Sequence, residues 1–251
     1  MISVKNLSKS YNTKTALDDI SFEIKPGEIC GYIGTNGAGK TTTVKILNGS
    51  LNFDKGQVLI GGFDIVKNPL DVKSISGYVP ELPNLFNSLS VTEFLNFVSD
   101  IRKIPPDIRK RRINYFSELL SFTENMKVSI GNLSKGNKQK VIITSALLHN
   151  PEVILFDEPL SGLDANSIFV LQDIIYKLAE NGKTILYCSH LLDMIEKISS
   201  KIIILEKGKI ILDKYSKELS GNADYTTLEN LFKGIQKDAE IKSFDFEYAF
   251  G

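Results

Sequence analysis

The feature that most limits how this chain can fold is the run Gly34-Thr35-Asn36-Gly37-Ala38-Gly39-Lys40-Thr41, which matches G-x-x-x-x-G-K-[ST]. Glu28 to Ile33 precedes it and turns apolar, as a buried strand does. Lys40 to Leu47 follows and reads as a helix. That context separates the motif from an ordinary glycine-rich turn and commits the chain to strands and helices packed together. The chemistry needs these residue types. Glycines let the backbone curl so that successive N–H groups face phosphate oxygens. The helix N-terminus adds about half a positive charge. Lys40 brings a full charge to the β- and γ-phosphates, and the Thr41 hydroxyl can ligate Mg²⁺.

A second segment supplies what such a loop needs beside it. Val153 to Phe156 is a continuous apolar run, as expected of a strand buried on both faces, and it ends in Asp157-Glu158. In this setting Asp157 is placed to hold Mg²⁺, directly or through water. Glu158 then lies beside the γ-phosphate and can polarise an attacking water.

The rest of the chain keeps an α/β rhythm. Strands are expected at Val4 to Tyr11, Asp19 to Ile24, Gly56 to Gly62 and Thr184 to Ser189, with another ending at Val79. Helices are expected over Ala165 to Glu180 and Leu191 to Ile198. Lys201 to Leu205 and Lys209 to Leu212 form a hairpin around Glu206-Lys207-Gly208. The alternation argues for a mostly parallel sheet covered on both faces. A helical insertion over about 83–148 interrupts it. There Ser90-Val91-Thr92-Glu93 has capping-box form. Pro105-Pro106 stops the first helix, and Asp107 is expected to cap the next, to about Phe122. Thr226 to Glu229 is a second capping box and opens a last short helix.

Composition removes several function classes. Thirty Lys and Arg balance thirty Asp and Glu, which argues against a dedicated nucleic-acid binder. Apolar runs are short, far from the roughly 18 residues of a membrane span. Met1 to Lys5 lacks the apolar centre of a signal peptide, so a cytoplasmic protein is expected. Cys30 and Cys188 read as two small buried thiols. With only His149 and His190 present, a histidine-rich metal site is not expected.

With these residues in hand, the chain resembles the ATPase subunit of ATP-binding cassette (ABC) proteins over nearly its whole length. The family's Leu-Ser-Gly-Gly-Gln signature appears as Leu133-Ser134-Lys135-Gly136-Asn137, with Ser134 lying 23 positions before Asp157. The resemblance implies an α/β fold: a phosphate-loop NTPase core with a mostly parallel sheet, a small N-terminal antiparallel β subdomain and the α-helical insertion. The ATPase domain is then 1–212, and 213–251 is a short extension. It implies ATP and Mg²⁺ as cofactors. Tyr11 would stack on adenine. Gly34, Thr35, Asn36, Gly37, Ala38, Gly39, Lys40, Thr41 and Thr42 would wrap the phosphates. Thr41, Asp157 and Glu81 would hold the metal. Glu158 would be the catalytic base, and His190 the switch histidine on the γ-phosphate. Ser134, Gly136 and Asn137 would complete the partner's site, and Asp164 closes the coupling loop that begins at Ser161.

Three positions depart from the family pattern. Glu81 stands where glutamine is usual; a carboxylate can still reach Mg²⁺, but the usual coupling role of that side chain is in doubt. Asn137 replaces the signature glutamine and is one methylene shorter, which would cost a hydrogen bond of about 0.5–1.5 kcal/mol. Lys135 replaces a glycine, which is strained if φ is positive there and free of cost if the position is helical.

One phosphate loop and one signature per chain imply a dimer, most simply a homodimer with two composite ATP sites. The length excludes tandem-cassette relatives. Tyr78-Val79-Pro80-Glu81, Ser189-His190-Leu191-Leu192 and Thr227 to Phe232 resemble subunits of bacterial exporters with ABC-2-type permeases. The expected partners are a second ATPase subunit and an integral membrane permease on a separate chain, with no nucleic acid. The expected location is peripheral, on the inner face of the cell membrane. The four arginines, Arg102, Arg109, Arg111 and Arg112, fit either a solvated helix face or a surface near the permease and anionic headgroups. An importer subunit, or a soluble regulatory or assembly ATPase without a permease, remains the alternative.

Overall fold

The structure, a computed structural model, describes residues 1–82 and 85–219. The strands are β1 (Ile2–Tyr11), β2 (Lys14–Ile24), β3 (Ile29–Gly34), β4 (Lys55–Ile60), β5 (Phe63–Asp64), β6 (Ser76–Val79), β7 (Val153–Asp157), β8 (Thr184–Cys188), β9 (Lys201–Glu206) and β10 (Lys209–Tyr215). The helices are α1 (Lys40–Leu47), α2 (Pro69–Ile75), α3 (Val91–Ile101), α4 (Pro106–Leu119), α5 (Lys135–Leu147), α6 (Ala165–Glu180), α7 (Leu192–Ile198) and α8 (Ser216–Leu219).

Six strands form the central sheet in the order β10-β9-β3-β8-β7-β6. All neighbours are parallel except the β9–β10 hairpin. Side-chain alternation along these strands builds two cores. Ile154, Phe156, Ile185, Tyr187, Ile202 and Ile204 face one way, against the helices. Val153, Leu155, Leu186, Cys188, Ile203 and Leu205 face the other. That second face is covered by α1 and by a four-stranded antiparallel-paired sheet, β2-β1-β4-β5, through Ile2, Leu7, Ile20 and Val58. Burial on both faces is why β7 reads as an unbroken apolar run. Each large side chain so buried contributes about 1.5–3 kcal/mol of transfer free energy. Cys30 and Cys188 lie in this second core as free thiols, and burial pushes both thiol pKa values up.

The inserted helices start as their sequences direct, with one correction. Ser90 Oγ accepts from the Glu93 N–H, and the Glu93 carboxylate accepts from the Ser90 N–H, so α3 has the expected capping box. Lys103, in a left-handed conformation (φ 53°), follows the end of α3. Asp107 does not cap α4. The helix begins at Pro106, with Pro105 in the cap position, and Asp107 lies in its first turn. A proline at the first helical position loses no hydrogen bond, and a carboxylate in the first turn meets the positive end of the dipole.

A second correction concerns β10. The apolar pattern ends at Leu212, but the strand runs to Tyr215. Asp213, Lys214 and Tyr215 still pair with β9, and Asp213 takes an ion pair from the nearly buried Lys201 at 2.8 Å. The last helix expected from Thr226 lies outside the described residues.

Three of the four arginines have partners within the chain. Arg102 donates to the carbonyls of Lys73 and Ser76, Arg112 donates to that of Leu148, and Arg109 pairs with Asp100. Arg102 also sets the charge environment of His149. Nε2 of His149 lies 3.0 Å from the Ser76 carbonyl oxygen, and its Nδ1 is buried without a partner. Burial, and then the positive charge of Arg102, lower its pKa to about 4. The unfolded chain therefore binds more protons between about pH 6.5 and 4, and stability falls as pH drops through that window. Thermal unfolding of His149→Gln should lose less between pH 7 and pH 5 than that of the parent chain; equal losses would remove His149 as the cause.

Candidate nucleotide site

The loop leaves β3 at Gly34 and enters α1 at Lys40. Gly39 has φ 114°, and a Cβ there would fall 2.6 Å from the Ala16 carbonyl oxygen. No other residue fits at that position. Nζ of Lys40 donates to the carbonyls of Gly34 (2.6 Å) and Thr35 (3.2 Å), which holds the ammonium over the loop. Thr43 Oγ1 lies 3.1 Å from Tyr32 OH and donates to the Gly39 carbonyl, fastening α1 to β3. Ala38 turns its methyl into the core, so it offers only backbone to the loop.

A cleft of about 580 Å³ opens at this loop. Thr35, Asn36, Gly37, Gly39, Lys40, Thr41 and Thr42 line it from the loop and the start of α1. Glu81, Asp157, Glu158 and His190 line it from the ends of β6, β7 and β8, and Tyr11 from the end of β1. Gly34 and Ala38 are not among the lining residues. Tyr11 is 45% exposed. Nζ of Lys9 lies 5.6 Å from its ring centroid and pairs with Asp54 at 3.1 Å.

The carboxylates differ in surroundings. Asp157 is buried, and burial together with Glu81 and Glu158 pushes its pKa up to about 6. The local excess of negative charge and the donor set, one hydroxyl and two carboxylates, suit a hard cation with oxygen ligands. Glu158 has φ 49°, a left-handed conformation in a residue with a side chain, which costs on the order of 1–3 kcal/mol. Its N–H donates to the Cys188 carbonyl at 2.9 Å. Oε1 of Glu158 lies 2.9 Å from Nδ1 of His190, and Oε2 accepts from the Ser189 hydroxyl at 3.0 Å.

The segment 133–137 lies elsewhere. Ser134 caps α5 by accepting from the Asn137 N–H at 3.2 Å. Lys135 is the first residue of that helix and does not have positive φ, so the lysine carries no backbone strain. Its Nζ donates to Ser161 Oγ at 2.7 Å. Gly136 packs on the same loop: a Cβ there would fall 2.4 Å from the Gly162 carbonyl oxygen. Gln139 donates to the Pro159 carbonyl at 3.1 Å, and Lys140 pairs with Asp164 at 3.0 Å. Asp164 caps α6 through Ser167, whose hydrogen bonds, with the Lys140 contact, hold its carboxyl far below the usual range. None of Ser134, Gly136, Asn137 and Asp164 lines the cleft.

Sequence reasoning missed three residues. Lys14 and Ala16 line the cleft from β2, and Ser189 bonds Glu158 from beneath. Nothing local marks Lys14 and Ala16, because the fold brings β2 to the loop. Ser189 carries a signal in hindsight, since it stands one residue before His190 at a strand end.

Comparisons with known proteins give the family. The family model described as ABC transporter matches residues 17–161. An uncharacterized ABC transporter ATP-binding protein of Methanocaldococcus jannaschii is 38% identical over 210 residues, 84% of this chain and 76% of the relative. NatA of Bacillus subtilis, an ABC transporter ATP-binding protein, is 32% identical over 94% of this chain and 100% of its own length. BcrA of Bacillus licheniformis, a bacitracin transport ATP-binding protein, is 34% identical over 84% of this chain and 68% of its own length. Among solved structures, a dimeric post-hydrolysis ATP-binding cassette bound to ADP and Pi superposes with TM-score 0.78 at 25% identity, covering 86% of this chain and 99% of that one. Loop, strand-end carboxylates, inserted helices and sequence all lead to one assignment: the chain belongs to the ABC transporter family, as an ATP-binding and ATP-hydrolysing subunit.

Proposed function

We propose that two copies of this chain close on two MgATP molecules and drive a separate integral membrane permease that works as an exporter. The observation that carries this reading is the separation of the two motifs. The cleft holds the phosphate loop, while Ser134, Gly136 and Asn137 lie outside it, so a second copy is needed to cover the nucleotide. The dimeric relative supports the assembly, and the bacitracin transport relative supports a role in transport. Among the described residues no helix is long and apolar enough to cross a membrane, in keeping with a subunit that docks on a permease from the inner face.

In this reading Tyr11 stacks the adenine, and Thr35 to Thr42 wrap the phosphates. Thr41, Asp157 and Glu81 hold Mg²⁺, which neutralises charge on the phosphate oxygens when bound. Glu158 takes a proton from water as its oxygen attacks the γ-phosphorus. The bond to the β–γ bridging oxygen breaks, and its electron pair leaves with ADP. His190 steadies the γ-phosphate. The coupling loop from Ser161 to Asp164 communicates between the copies.

The test is association. With saturating MgATP, Glu158→Gln should run as a dimer in light scattering, and Ser134→Arg in that background should return it to a monomer. A Glu158→Gln chain that stays monomeric at high concentration overturns the composite site. Co-purification from membranes with a polytopic protein tests the permease. Recovery entirely free of membrane, with full ATPase activity, would favour the regulatory alternative.

A further inference from the structure

We propose that Ser189 is a positioning residue for hydrolysis. It holds the Glu158 carboxylate so that one chosen oxygen, Oε1, faces the attacking water. The inference rests on the reading of Glu158 as the base.

The geometry starts in the sheet. β7 and β8 pair in parallel with Asp157 opposite Cys188, so the next residues, Glu158 and Ser189, leave the sheet side by side. The left-handed turn at Glu158 and its N–H bond to the Cys188 carbonyl keep its backbone against β8. Ser189 is 1% exposed. Its hydroxyl has one hydrogen and accepts from the Leu191 N–H at 3.1 Å. An ionised carboxylate can only accept, so the hydrogen points to Oε2 of Glu158, at 3.0 Å, while the hydroxyl oxygen takes the Leu191 N–H. The hydroxyl therefore has a single useful orientation.

The two carboxylate oxygens become unequal. Oε2 is tied to a buried donor. Oε1 faces His190, whose side chain is 73% exposed, on the cleft side. When His190 turns to the phosphate, Oε1 is the oxygen released to the cleft, in a plane already fixed by Ser189. Positioning of this kind acts on the chemical step more than on nucleotide binding, because a small misplacement of a reacting group lowers the rate steeply.

The test uses the full-length chain with MgATP. Ser189→Ala should lower kcat about 10- to 100-fold with KM for ATP within about twofold and an unchanged Tm. Ser189→Thr, which keeps the hydroxyl, should restore most of the rate. In a Glu158→Gln background, Ser189→Ala should cost nothing further, since the carboxylate it aims is gone. A parental kcat in Ser189→Ala overturns the proposal, as does a threonine variant as slow as the alanine one. If Ser189→Ala is unstable, Ser189→Cys supplies the comparison, and it overturns the proposal if its kcat matches the parent. Full turnover in Glu158→Gln would overturn the base assignment itself; a dead Glu158→Gln beside a fully active Ser189→Ala overturns Ser189 alone.

Discussion

Glu158→Gln is expected to lower ATP turnover by about 10²–10⁴-fold while ATP still binds. The substitution keeps size and shape. It leaves Lys40, Thr41 and Asp157 in place, so the groups that line the cleft from the phosphate loop are untouched. It removes the one group at the end of β7 whose carboxylate is oriented from both sides, by Ser189 at 3.0 Å and His190 at 2.9 Å. It also removes one of the two carboxylates that, after burial, raise the pKa of Asp157. Binding is therefore expected to hold or tighten slightly while chemistry fails. Steady-state phosphate release and nucleotide titration separate the two effects, and unchanged turnover would take Glu158 out of the role.

Lys40→Ala is expected to weaken ATP binding by about 10- to 100-fold, the range for losing a hydrogen-bonded full charge on a phosphate. Turnover at ordinary ATP concentrations falls with it. The folded chain itself should be little affected. Lys40 makes its two hydrogen bonds to loop carbonyls at Gly34 and Thr35, whereas α1 is anchored through Thr43, Val44, Ile46 and Leu47. Calorimetric titration checks the affinity and thermal unfolding checks the fold. Unaltered affinity would mean that the phosphates do not lie against this loop.

The parts of this molecule readable from sequence are those whose causes are local. The glycine-rich loop, the capping box at Ser90 and Glu93, the start of α6 at Ala165 and the buried strand Val153–Asp157 each carry their reason within a few residues. What escaped has its reason across the fold. β10 continues past Leu212 because β9 and Lys201 wait for it, not because its own pattern is apolar. Asp107 reads as a cap until Pro106 is seen to start the helix. Arg102 and Arg112 read as a solvated helix face or a surface near a permease, yet they serve the carbonyls of Lys73, Ser76 and Leu148, brought near only by tertiary packing. Lys14 and Ala16 line the cleft because β2 folds back beside the loop, and Ser189 meets Glu158 because β7 and β8 pair, contacts that the residues' own types do not announce.

The contacts between α5 and the loop after Glu158 have a mechanical consequence. Gln139, Lys140 and Lys135 grip Pro159, Asp164 and Ser161 within one chain, and Gly136 leaves no slack against Gly162. A helix fastened in this way behaves as a stiff lever whose short arm ends at Pro159, one residue from Glu158. A push on its N-terminus from the second copy proposed above would be carried along it to Glu158 of the same chain. In the proposed pair, the nucleotide in one cleft would press the other copy's lever, so that the two clefts would keep time with each other.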